Sequence, residues 1–555
     1  MSAKHDYDKY FPYNVVRDEQ RSAVEFALNA FLDEGKQFVV LEMGTGCGKS
    51  ATGVTIARYL AANMPSTSIE DVKSGAYVLT TQKVLQKQYV DDFGPATKGL
   101  LRSIKSSKNY TCQFYPEQDC GSSKRVLAGM RRQLAGTDFQ KCCSSSCPYT
   151  ADKQAFVDSP ISVTNFSYFL AETMYARKLE PREVLIIDEC HNVESELGKF
   201  IEVTFSEKFA TEVLKCKVPK FKGHGDELAA EVFKWVSKKY KQTLEKHVAS
   251  VEKNMHAKLE SDMEGMSEIS KRYEMLDMHL CKVNRFINTF TPDNWVMNVI
   301  KPQGPRQQPK YEFKPIDVSS YGYDMLYRFG VKVLMMSATI VDKDVFCRSI
   351  GLPTEQVAFM RIPSPFPIEN RQIHVMPVGS MSMSKINETL PMMVEAIKFI
   401  LEEHKNDKGI IHCVSFKIAQ HLYENLGRPS RLLIHGSDNR DQVLDHHVTS
   451  TEPTVLLSPS MMEGVNLADN ASRFQILCKI PFPYLGDLVV KKRKDKDPMW
   501  YGFQTAKSII QAMGRSVRNE NDHATSYVLD ADWVNFMSRS RSMFPTDFLQ
   551  SIIVH

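Results

Sequence analysis

The sequence predicts an α/β protein with two parallel sheets and inserted segments. Strand, glycine-rich turn and helix succeed one another between Phe38 and Leu60, and a second series of short apolar strands alternates with helical stretches from Val333 to Leu457. Between His191 and Ser337 lie about 145 residues of different character, too many for a mere connection. A chain of 555 residues has room for about three or four folding units.

Composition narrows the class further. Hydrophobic residues at 43% and charged residues at 25% build sizeable cores, which excludes a disordered or fibrous chain. With 70 Lys and Arg against 66 Asp and Glu the formal charge is +4, so any strongly basic surface is local. No uninterrupted apolar run is long enough to span a bilayer, and the opening residues from Met1 to Phe11 are too charged and aromatic for a secretory signal. We therefore expect a soluble intracellular protein without a membrane partner, in cytoplasm or nucleoid, or in a nucleus. Twelve cysteines are too sparse for a disulfide framework, but five fall between Cys112 and Cys147, the grouping of a metal or cluster site in a reducing compartment.

Taken in order, Phe11-Pro12-Tyr13 with Arg17 and Gln20 precede the first helix, from where side chains can reach a nucleotide base; a surface turn and helix start is the plainer alternative. Phe38 to Leu41 is a buried strand running into Met43-Gly44-Thr45-Gly46-Cys47-Gly48-Lys49-Ser50, with a helical pattern from Thr52 to Leu60. Its glycines let backbone amides turn inward on phosphate oxygens, Lys49 reaches the outer phosphates, and Ser50 offers a hydroxyl to Mg²⁺. Tyr77 to Thr81 is another strand, whose terminal Thr80 and Thr81 can hold a nucleic-acid phosphate. Val184 to Ile187 delivers Asp188-Glu189-Cys190-His191 at a strand's carboxyl end, where ligands of open α/β sheets bind. We assign Asp188 to the metal and Glu189 to the attacking water, a helix cap being the alternative for an isolated pair.

The long segment after His191 keeps a helical step through Phe233, Val236, Tyr240, Leu244, Val248, Val251, Met255 and Leu259, and again through Ile269, Tyr273, Leu276, Leu280, Val283 and Ile287. This predicts an antiparallel helical hairpin packed on itself. Beyond Ser337-Ala338-Thr339 and the second strand series, Lys491 to Lys496 forms the densest basic run, able to neutralise phosphates, while a solvated loop is its commoner meaning. Trp500 and Tyr501 are expected to pack beneath the helix that follows. There Gln511, Gly514, Arg515 and Arg518 are spaced to share one helix face, and two arginines so placed can stabilise charge developing on a transferred phosphate.

The ordered set Glu42 to Ser50, Asp188-Glu189-Cys190-His191, Ser337-Ala338-Thr339, Glu463-Gly464-Val465-Asn466 and Gln511 to Arg518 resembles the XPD/DinG iron-sulfur family of superfamily 2 helicases, over nearly the whole chain. The resemblance implies two RecA-like parallel-sheet motor domains, the first from 1–100, 161–200 and 326–350 and the second from 351–555. It further implies an inserted iron-sulfur cluster domain at 101–160 and an inserted helical arch at 201–325. ATP and Mg²⁺ are then held between the sheets by Arg17, Gln20, Gly44, Thr45, Gly46, Cys47, Gly48, Lys49, Ser50, Gly464, Asn466 and Gln511, with Lys49, Asp188, Glu189, Arg515 and Arg518 catalytic.

Four thiolates suit a tetrahedral zinc or a 4Fe-4S cluster, and the resemblance favours the cluster. Its ligands are expected to be Cys112, Cys120, Cys142 and Cys147, with Cys143 as the alternative to Cys142. Thr80, Thr81, Thr164 and Asn165 are implied in DNA contact. Cys190, Phe166 and Asn466 replace the family's usual Ala, His and Asp. The activity so implied is that of a monomeric ATP-dependent DNA helicase moving 5′ to 3′ on single-stranded DNA and opening forks, possible RNA-DNA hybrids included. One alternative is a strand-stimulated translocase or remodeller without strand separation, which Asn466 keeps open. Another is a zinc-bearing nucleic-acid-binding scaffold with a degenerate ATP site.

Overall fold

The computed structural model describes the chain except at 1–4, 65–71, 82, 118, 130–134, 144–146, 177, 258–262, 302–307, 428–429, 437, 460–466, 468 and 520. Apolar runs become the central strands. Phe38–Met43 (β1), Lys73–Thr80 (β2), Leu101–Ser103 (β3), Ile161–Asn165 (β4) and Arg182–Asp188 (β5) belong to one sheet, and every residue of β1 and β5 is buried because helices cover both faces. The helix Lys49–Asn63 lies so close that a methyl group on Gly53 would meet the Met336 side chain at 2.6 Å.

The chain then leaves this sheet. Val203–Ser206 (β6), Trp295–Ile300 (β7) and Lys310–Pro315 (β8) form a small antiparallel sheet in the order β6-β8-β7, which the sequence pattern does not announce. From it projects the expected hairpin, with helices Lys241–Ala257 and Met263–Thr289 packed on one another. Phe205, Tyr240, Phe286 and Phe313 are fully buried where hairpin and small sheet meet. The longer hairpin helix also packs on the cysteine-bearing helix Cys120–Gly129.

Gly330–Ser337 (β9) and Val357–Ile362 (β10) return to the first sheet, whose order is β10-β1-β9-β5-β2-β4-β3 and wholly parallel. The boundary expected at 350/351 is therefore displaced, because β10 pairs with β1 from Phe38↔Val357 to Met43↔Ile362. The second sheet comprises Ile373–Gly379 (β11), Gly409–His412 (β12), Leu432–Ile434 (β13), Val455–Ser458 (β14), Phe474–Leu477 (β15), Thr525–Asp530 (β16) and Ile552–Val554 (β17). It is parallel in the order β13-β14-β12-β15-β16-β11-β17.

With β9 between β1 and β5, three loops emerge side by side at one edge of the first sheet: the glycine loop, Ser337-Ala338-Thr339, and Asp188-Glu189.

Candidate active site

The glycine loop is held open from behind. Gly46 and Gly48 have φ of +90° and +75°, a region where a side chain is strained, and Cys47 buries its thiol against the Pro363 carbonyl, 3.3 Å away. Arg17 donates to the Gly46 carbonyl and Gln20 donates to the Gly48 carbonyl at 3.3 Å. Arg17 and Gln20, expected near a nucleotide base, are both engaged in fixing the loop. Ser364 donates to the Thr45 carbonyl at 2.9 Å, and the Phe366 ring occupies the space that a side chain on Gly46 would need.

Lys49 opens the helix Lys49–Asn63, and its charge acts on both Asp188 and Glu189. Asp188 is buried at the end of β5 and accepts a 2.8 Å hydrogen bond from Tyr89 Oη, which also bonds Ser50. Glu189 adopts a left-handed backbone, φ +51°, that turns its carboxylate into the cleft with 30% of the side chain exposed. Burial raises the proton affinity of Asp188, and the neighbouring Glu189 charge adds to it. Burial also opposes ionisation of Glu189, but His191, Lys49 and Arg515 together hold it well below the ordinary carboxylate range. The His191 ring lies 3.3 Å from Glu189 and 2.7 Å from the Ser337 hydroxyl, joining two of the three loops.

The opposite wall comes from the second sheet. Gln511 donates to the Thr339 hydroxyl at 3.3 Å, and Gly514 faces Thr45. The expected single helix face is not formed: helix Pro498–Met513 ends before Gly514, whose amide caps it on the Ile510 carbonyl, and Arg515 and Arg518 leave on the turn beyond. Both nevertheless interact with the Glu189 charge. A cavity of about 540 Å³ between the two sheets is lined by Lys49, Glu189, Thr339, Gln511, Arg515 and Arg518, a size suited to a small-molecule ligand. Gly464 and Asn466 lie outside the described residues.

Two expected nucleic-acid contacts are corrected. Thr80 and Thr164 are fully buried, on opposite faces of the sheet since Thr164 pairs with Leu79 and Thr80 with Asn165, and Thr164 spends its hydroxyl on the Ile104 carbonyl at 3.3 Å. Asn165 caps the helix Phe166–Met174 by accepting from the Tyr168 amide at 3.0 Å. Thr81 lines the cleft.

Cys112, Cys120, Cys143 and Cys147 are buried in one small module, with the Cys120 and Cys147 sulfurs 3.1 Å apart. Cys142 is half-buried, whereas Cys143 is buried. Burial pushes the Cys120 and Cys143 thiols up to about 12, while at Cys147 burial is outweighed by hydrogen bonds from Thr150 and Cys120. This soft donor set suits zinc or an iron-sulfur cluster in kind, although no three ligand-type side chains converge on one centre among the described residues. A Ser50 and Asp188 pair is the small protein contribution that Mg²⁺ takes beside phosphates and water.

Two further sets escape the sequence. Tyr89 reads there as an ordinary apolar-face residue of helix Lys83–Phe93. Glu42 leaves a signal, a lone carboxylate in an apolar strand. It is buried, accepts from the amides of Ile340 and Val341 at 3.2 and 3.0 Å, and pairs with Arg361 at 2.6 Å. It thereby holds Val341, at φ +67°, in a conformation costly for a β-branched residue.

Two parallel sheets face each other across a phosphate-type loop, a carboxylate pair and two arginines, the arrangement of a nucleotide-binding cleft. Residues 14–217 match the family described as type III restriction enzyme, res subunit, and residues 399–548 match the helicase C-terminal domain family. The chain is 20% identical to the ATP-dependent DNA helicase YoaA of Escherichia coli over 94% of its own length and 92% of that protein. It is 23% identical to DinG of Photobacterium profundum over 40% of this chain and 35% of that one. A probable ATP-dependent helicase of Methanocaldococcus jannaschii is 24% identical over 42% of this chain, an alignment that spans only 40% of the relative. Among solved structures, an XPD helicase superposes with a TM-score of 0.61 at 14% identity, over 98% of this chain and all of that one. An Xpd4 structure from S. tokodaii gives 0.55 at 15% identity, over 97% and 100%. These matches are consistent with an XPD/DinG-like helicase of superfamily 2. No helix among the described residues is long and apolar enough to cross a membrane.

Proposed function

We propose that this protein is an ATP-dependent DNA helicase that moves 5′ to 3′ along single-stranded DNA as a monomer and separates strands at a fork. The observation that carries the reading is the convergence of Lys49 and Glu189 from the first sheet with Arg515 and Arg518 from the second on one cleft. Backbone amides of Gly44 to Gly48 and the Lys49 ammonium bind the phosphates, and Ser50 with Asp188 would hold Mg²⁺, which supplies charge neutralisation of the triphosphate when bound. Glu189, kept ionised, orients and deprotonates the attacking water. Arg515 and Arg518 stabilise the charge that develops on the γ-phosphate, so hydrolysis requires the two sheets to close. Cys112, Cys120, Cys143 and Cys147 would hold a 4Fe-4S cluster that shapes the module facing the helical hairpin, and the strand passes between them.

The decisive test is ATP hydrolysis by anaerobically purified protein with no nucleic acid, single-stranded DNA, duplex DNA or single-stranded RNA, beside Lys49→Ala, followed by unwinding of forks with either polarity. Lys49-dependent stimulation by single-stranded DNA is expected. Indifference to every nucleic acid would remove the motor reading.

Tyr89→Phe deletes only the hydroxyl that holds Asp188 and Ser50. Loss of one such bond, about 1 kcal/mol, should raise the Mg²⁺ concentration for half-maximal hydrolysis about fivefold while leaving the rate at saturating Mg²⁺ nearly intact. Titrating hydrolysis against Mg²⁺ checks this, and an unchanged midpoint would free Tyr89 of the role.

A further inference from the structure

The basic run from Lys491 to Lys496, for which a phosphate grip and a solvated loop are the two sequence expectations, follows neither. It forms the helix Leu488–Lys496, started by Asp487, whose carboxylate accepts from the Val489 and Val490 amides. Three of its lysines make contacts with protein, while Lys491 is exposed. Lys492 pairs with Asp226 at 2.8 Å, Lys494 lies 5.2 Å from the centre of the Tyr501 ring, and Lys496 donates to the Asp293 carbonyl.

Arg493 is the centre of this arrangement and only 4% exposed. One arm of its guanidinium donates to Asp317 at 2.6 Å, just beyond β8 at the base of the helical insert, and the other lies 3.6 Å from Glu194. Glu194 stands in the helix Val193–Ile201, six positions after Asp188, and also accepts from Trp500 and Gln504 at 3.0 Å each. Trp500 and Gln504 belong to the helix that ends beside Arg515. A single planar fork thus joins three units: the second sheet's layer, the helix following the reacting carboxylates, and the insert. A guanidinium suits the task because its two arms have a fixed mutual angle, so neither carboxylate can swing without the other.

We propose that the Arg493 fork, with Glu194 and Asp317, is an internal coupling that makes the helical insert follow nucleotide-driven closure of the two sheets, and that the basic helix is a strut and not a nucleic-acid contact. This rests on the motor reading above: when the second sheet advances on the first, the strut carries the insert's base with it and shifts the hairpin against the cysteine module on which it packs. Arg493 is a positioning residue, remote from the reacting atoms.

The test uses the full-length protein with bio-orthogonal dye pairs. One pair joins exposed Glu34 in the first sheet's layer to exposed Val534 in the second and reports closure; the other joins Glu34 to Met275 on the hairpin and reports the insert. In the unsubstituted protein a non-hydrolysable ATP analogue should change energy transfer in both pairs. Arg493→Met should keep the closure signal and lose at least about half of the insert signal, with single-stranded-DNA affinity retaining its salt dependence. Arg493→Lys keeps the charge but cannot span both carboxylates, and should give an intermediate loss without the folding risk of Met; thermal unfolding monitors both variants. Adding Asp317→Asn to Arg493→Met should cost little more than Arg493→Met alone, since both break one link.

If closure occurs but the insert is still, or if Arg493→Met leaves the insert signal intact, the coupling is overturned while the motor reading stands. If Arg493→Met instead weakens DNA binding and lowers its salt slope by about one, Arg493 contacts phosphate and the strut is overturned. Absence of any closure signal in the unsubstituted protein would bring down the motor reading and the coupling together.

Discussion

Glu189→Gln is expected to lower ATP turnover by about 10³-fold while leaving nucleotide affinity within a few-fold of its original value. The amide has the carboxylate's shape and can keep a contact to His191, so the His191 link between the Asp188 and Ser337 loops should survive. What disappears is the ability to accept a proton from water. The structure explains why the carboxylate is poised for it: a hydrogen bond from His191 and the charges of Lys49 and Arg515 hold Glu189 ionised despite burial. The loss should therefore fall on turnover and not on binding, the pattern of an interaction made only in the transition state. Steady-state hydrolysis beside fluorescent-nucleotide binding checks both halves. A variant turning over within about tenfold of the parent would take Glu189 out of the reaction.

Cys147→Ser should abolish strand separation, by about 100-fold or more, and strip the module of iron, while Lys49-dependent hydrolysis persists within a few-fold. Cys147 is the residue at the head of helix Pro148–Asp158, and its sulfur touches that of Cys120. A helix N-terminus, the Thr150 hydroxyl and the Lys124 charge all favour its thiolate, the form that ligates metal. Serine matches cysteine in size, so a failure would be one of ligation and not of packing. The nucleotide cleft lies elsewhere and shares none of these residues, which is why hydrolysis should persist. Iron and sulfide content, the visible spectrum, and fork unwinding are the measurements. Retention of both iron and unwinding would remove Cys147 from the ligand set.

The sheets and the cleft are legible in the sequence because their signals are local. An apolar run of strand length followed by a glycine loop specifies the Lys49 site within a dozen residues, and Asp188-Glu189 follows another such run. The hairpin is legible for the same reason, its apolar positions repeating at helical spacing through Leu276 and Val283. What cannot be read depends on pairing between distant segments. β10 is a short apolar run that periodicity cannot allot to either sheet, and only its ladder with β1 places it. The helix end at Gly514, the inward turn of Thr164, and the burial of Cys143 in preference to its neighbour each turn on a one-residue difference in direction. Tyr89 and Arg493 are of types usually explained by a core or a surface, and their partners lie 99 and 176 positions away.

Phe366 and Gly46 bear on which substitutions this protein can accept. The ring stands where position 46 would carry its own side chain, and behind it sit Val517 and Ala524 of the second sheet's layer. The segment between β10 and β11 in effect lends the loop a side chain. Position 46 is accordingly closed to a side chain twice over, by its φ of +90° and by the ring, and a smaller residue at 366 would open a vacancy between the loop and Val517 without making room for alanine at 46. Sequence drift in the loop is thus tied to drift in the arginine turn, although no residue of one touches the triphosphate on behalf of the other.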